Sequence, residues 1–147
     1  MTGRKGPERV EHMVAVLRRW QEVERQSVSS LTEIMEKSQN PFVGLIMEII
    51  RQDSLTHHRV QQFLIDSVTV SAPSLSREEL VEVWDMIEKH DAGERQALEL
   101  AKRLLDEAWT PVQKQLLSYL LKDEAKHDEL LEQLGEMKRQ LSRSSGA

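Results

Sequence analysis

The chain contains no cysteine, which rules out disulfides, thiolate zinc sites and cysteine-ligated iron centres. Any metal it holds must be bound through nitrogen and oxygen. Glycine and proline are scarce, six and four in 147 residues, so the chain has few turns and sheet is not expected. No run of residues approaches the 18 apolar positions a membrane span requires. The N-terminal MTGRKGPERVEHM starts basic but has no apolar stretch behind it, so no signal peptide is expected. There is no excess of positive charge either: 20 Lys plus Arg stand against 25 Asp plus Glu, a net charge of −5. A phosphate-tracking surface is therefore not expected, and neither nucleic acid nor membrane is an expected partner. The expectation is a soluble cytoplasmic protein.

What the chain does have is 39% hydrophobic and 31% charged residues, the profile of long amphipathic helices. Asn40-Pro41 and Thr110-Pro111 each put an N-cap residue before a proline at the first helical position. Ser76-Arg77-Glu78-Glu79 reads as a capping box, and Pro7 suits the first turn of an opening helix. These signals predict helices near 7–38, 41–68, 77–107 and 111–140, with a flexible polar tail over 141–147. At this length the whole chain is expected to form one all-α domain. The connection from about 69 to 76 reaches only about 28 Å when extended, which leaves the crossover topology open.

Shifting the sequence by 70 residues aligns it with itself without a gap. Glu24-Arg25-Gln26 falls on Glu94-Arg95-Gln96, Pro41 on Pro111, Asp53 on Asp123, His57 on His127 and Leu64 on Leu134. Apolar partners such as Ile46/Leu116, Ile50/Leu120 and Val60/Leu130 keep the same register. Shared Leu-like periodicity alone accounts for the apolar matches, but not for the matched Glu, Asp and His. The chain therefore reads as two copies of one helical hairpin, near 7–70 and 77–140.

Chemistry enters where polar groups interrupt the apolar stripes. In the last helix the stripe runs Leu117, Leu120, Glu124, His127, Leu131, Leu134. In the first it runs Leu17, Trp20, Glu24, Val28, Leu31, and in the third Ile87, His90, Glu94, Leu98. A carboxylate in such a seam requires a raised pKa or a compensating cation. The groups also match in depth. Glu24 and His57 lie 41 − 24 = 17 and 57 − 41 = 16 residues from the first turn, and Glu94 and His127 lie 17 and 16 from the second. At 1.5 Å per residue each sits roughly 24 Å from its turn. Three carboxylates meeting at that level repel one another, and mixed carboxylate and imidazole donors without sulfur suit iron, manganese or zinc. Trp20, Trp84 and Trp109 read as core or hairpin-end packing, His90 and His58 as supporting or surface residues.

The segments EVERQSVSSLTEIMEKSQNPFVGLIMEIIRQDSLTHHRVQQFL and HDAGERQALELAKRLLDEAWTPVQKQLLSYLLKDEAKHDELL resemble the ferritin-like superfamily, in particular its rubrerythrin-related proteins, over essentially the whole chain. The resemblance implies a four-helix bundle holding a non-haem metal centre, iron or manganese and dinuclear in the full pattern. Glu of helices one and three and Glu-x-x-His of helices two and four would then be the ligands. This points to Glu24, Glu94, Glu124, His127 and His57. One position departs: the partner of Glu124 is Ser54, leaving one carboxylate missing, for which Asp53 is the candidate replacement. Two functions follow. One is ferroxidase or peroxide-reducing chemistry, with an electron-donor protein as partner. The other is a metal-poor or metal-free four-helix binding module that has lost redox activity. A homodimer is compatible with both.

Overall fold

The computed structural model describes residues 6–144. They form four helices, α1 (Gly6–Lys37), α2 (Pro41–Thr69), α3 (Arg77–Glu107) and α4 (Pro111–Ser144), with no strand among the described residues. The all-helical expectation holds, and the helix limits follow the capping chemistry. Asn40 Oδ1 accepts from the Phe42 and Val43 amides at 2.9 and 3.3 Å, satisfying donors that the first turn of α2 leaves unpaired. Ser76 and Glu79 form a reciprocal capping box on α3. At α4 the same reciprocity uses Gln113: Thr110 Oγ1 accepts from the Gln113 amide, and Gln113 Oε1 accepts from the Thr110 and Trp109 amides. The last helix continues to Ser144, past the end near 140 and into the expected flexible tail. Ser142 Oγ donates to the Lys138 carbonyl and Arg139 pairs with Glu136 there, while residues 145–147 lie outside the described residues.

Between Pro73 and Ser74 the chain divides into two compact units. One is the hairpin of α1 on α2, the other the hairpin of α3 on α4. Their turns share a register: α1 and α3 end at 37 and 107, and α2 and α4 begin at 41 and 111, both 70 apart.

Within each hairpin the seam lies one residue to the side of where its apolar residues point. In α1 the buried residues are Leu17, Gln21, Glu24 and Leu31. Gln21 is 3% exposed and Trp20 51%, so the expected packing role of Trp20 is not seen within its hairpin. In α4 the seam runs through Asp128 and the buried Gly135, while Leu120 is exposed. The helix can leave Glu24 or Glu124 by a step of three or of four, and apolar content favoured the wrong alternative. Trp109 is 79% exposed. Only Trp84 packs as expected: a Cβ at Gly135 would stand 3.3 Å from its Cη2, so the glycine lets the ring lie against α4. Lys138 Nζ sits 4.7 Å from the ring centroid, and the indole N–H donates to Glu88.

Candidate metal centre

The second hairpin brings three of the predicted ligands together. Glu94 of α3 and Glu124 and His127 of α4 each offer a donor atom, all within 4.8 Å of one another. The i,i+3 spacing of Glu124 and His127 puts both on one side of α4, and Glu94 meets them from the facing helix. His127 Nδ1 is 3.5 Å from Glu94 Oε2 and 4.0 Å from Glu124 Oε2. Its other nitrogen, Nε2, is 3.4 Å from Asp123 Oδ2. A proton held at Nε2 by Asp123 leaves Nδ1 unprotonated toward the two carboxylates, as a metal-binding imidazole needs.

The two carboxyls perturb each other in opposite directions. Contact with Glu124 lowers the Glu94 pKa; burial opposes it, and His90 and then His127 lower it further. Contact with Glu94, followed by burial, pushes Glu124 above it. Two carboxyls this close cannot both ionise cheaply, so a proton or a cation must occupy the space between them. The donor set therefore fits a divalent ion.

One turn away, Asp91 and Asp128 form a second carboxyl pair. Hydrogen bonding to Asp128, then burial, raises the Asp91 pKa. Arg95 reaches Asp91 at 2.9 Å and Asp128 at 3.6 Å. These three residues were not singled out from the sequence. The signal was available, since Asp91 and Asp128 lie three residues before Glu94 and four after Glu124, in heptad register with them.

In the first hairpin the same positions are largely neutral. At the 70-residue shift, Asp91, Glu94, Glu124 and Asp128 correspond to Gln21, Glu24, Ser54 and His58. Glu24 is 7% exposed, and its Oε1 stands 3.4 Å from His57 Nδ1. His57 itself is exposed. Ser54 is buried, with its hydroxyl 3.4 Å from that of Ser27. A cavity of about 130 Å³ is lined by Glu24, Arg25, Val28, Ser54, Leu55 and His58. Asp53 is exposed and makes no described contact with Glu24 or His57. Glu24 and His57 thus form a pair, without the third donor that Glu124 supplies in the second hairpin. No family model, no curated protein and no solved structure matches the chain.

Proposed function

We propose that the protein is a ferritin-like, non-haem metal-binding protein of the rubrerythrin-related kind, with its principal metal position on the second hairpin. The observation that carries this proposal is the convergence of Glu94, Glu124 and His127 within 4.8 Å, with two carboxyls that perturb each other in opposite directions. Glu94 and Glu124 would hold the ion, His127 Nδ1 would add the nitrogen donor, and Asp123 would fix the imidazole orientation. Mixed carboxylate and imidazole donors suit iron, manganese or zinc. A bound iron or manganese ion supplies the one-electron redox chemistry that ferroxidase or peroxide-reducing activity needs. With its pKa raised beside Glu94, Glu124 would be the carboxyl for which protons compete with the ion. With no cysteine in the chain, electrons for turnover come from a partner protein.

Ser54 favours a second proposal. A buried serine in place of a carboxylate, hydrogen-bonded to Ser27, suits a chain that has kept its helical scaffold and lost part of its redox centre. Metal analysis of protein purified after iron-rich and manganese-rich expression separates the two. About two ions per chain fit the dinuclear pattern, and one ion lost in Glu94→Gln fits a single centre on the second hairpin. Metal-free protein under both conditions would leave the binding module.

A further inference from the structure

Glu94 stands between two imidazoles. Its Oε2 faces His127 Nδ1 at 3.5 Å, and its Oε1 faces His90 Nε2 at 2.8 Å. The group of donors within 4.8 Å of one another comprises Glu94, Glu124 and His127, without His90. The two imidazoles therefore address different oxygens of one carboxylate. A cation held by Glu94 Oε2, Glu124 and His127 leaves Oε1 still facing a ring nitrogen. His90 sits four residues before Glu94 on the same face of α3. Its side chain is 67% exposed, against 12% for Glu94, so this side of the carboxylate is open to solvent.

We propose that His90 Nε2 and Glu94 Oε1 form a second, outer position for a first-row divalent transition-metal ion, with Glu94 as the carboxylate shared between the two ions. This rests on the metal reading of Glu94, Glu124 and His127. Both ions then belong to the second hairpin, and the carboxylate missing at Ser54 is not required. One imidazole and one carboxylate oxygen select manganese, iron, cobalt or zinc over magnesium, which prefers oxygen donors throughout. With two protein donors and the rest water, the outer ion binds more weakly and exchanges faster than the inner one.

The competing role for His90 is that of a hydrogen-bond donor orienting Glu94, as in many exposed i,i+4 pairs. His90→Gln separates the two, because the glutamine amide keeps an N–H donor and loses the imidazole. The full-length chain is titrated with Mn²⁺ by calorimetry and by electron paramagnetic resonance, alongside His90→Gln and His57→Gln. Wild type is expected to bind in a tight step and a weaker step, the second replacing the isolated-ion spectrum with that of an exchange-coupled pair. His90→Gln should keep the tight step and lose the weaker step and the coupling, and His57→Gln should keep both. The inference is overturned if the weaker step survives in His90→Gln, if His57→Gln is the variant that loses it, or if His90→Gln loses the tight step as well. A single step in wild type also overturns it and leaves the inner position intact. No binding step at all removes both.

Discussion

The opposed pKa shifts of Glu94 and Glu124 make stability and metal affinity depend on pH in opposite senses. Glu94, with its pKa lowered, contributes stability above its unfolded value and loses it as pH falls through the folded one. Glu124, with its pKa raised, contributes stability below its unfolded value and loses it as pH rises through the folded one. Asp91 shifts in the same direction as Glu124. The metal-free protein is therefore expected to be most stable between the lowered Glu94 value and the raised Glu124 value, and less stable as pH rises above the latter. Metal affinity should rise with pH as Glu124 ionises. Glu124→Gln should raise the melting temperature of the metal-free protein at pH values where Glu124 is ionised, flatten its fall with rising pH, and abolish most metal binding. At a hundredfold excess of ion over Kd, wild type should gain about 2.7 kcal/mol. A metal-induced rise in melting temperature that is unchanged in Glu124→Gln would exclude this residue as a ligand. Asp123→Asn should leave the fold intact and weaken metal binding roughly 10–100-fold, the usual effect of losing the carboxylate behind a ligating histidine. Calorimetric titration reads it, and unchanged affinity would mean that the 3.4 Å contact to His127 orients nothing.

At the level of the helices, most of the structure is written in the caps. The Thr110–Gln113 reciprocal cap satisfies three backbone donors at the turn into α4, so Thr110→Ala should cost about 1 kcal/mol, seen as a lower denaturation midpoint with an unchanged slope. A value near zero would mean that Pro111 alone starts the helix. Proline, asparagine, threonine and serine act within three or four residues of themselves, which is why helix order and limits were legible in the sequence to within a few residues. The seam was less so. Whether α1 buries Trp20 or Gln21 depends on where the neighbouring helix lies, and apolar content misleads when the residue facing that neighbour is polar. Glu24, Glu94 and Glu124 lie in the seams under either alternative, because both pass through them. Asp91 and Asp128 were missed because only one alternative does, and Asp53, a candidate for its i,i+4 spacing to His57 and the carboxylate missing at Ser54, is exposed on α2.

Over the whole chain, one hairpin register is used twice with different electrostatics. The second hairpin lines its seam with Asp91, Glu94, Glu124 and Asp128, while the first has Gln21, Glu24, Ser54 and His58 in the same places. The cavity of about 130 Å³ beside Ser54 offers room for a glutamate at that position. Ser54→Glu should lower the stability of the metal-free protein, since it adds a carboxyl beside buried Glu24. It should also add one metal-binding step that disappears when Glu24→Gln is combined with it. If no step is gained, a shared register is not enough to make the first hairpin a ligand set. A further consequence of that neutral seam concerns opening. Gln61 is 2% exposed, and neither atom of its amide has a described partner, whereas the residue at the matching position of α4 is Leu131. A buried amide left unsatisfied costs about 1–3 kcal/mol, and that cost is recovered whenever α2 lifts from α1 and water reaches the side chain. Backbone amides of α2 around Gln61 should therefore exchange hydrogen for deuterium through a local opening of lower free energy than global unfolding, and Gln61→Leu should slow that exchange.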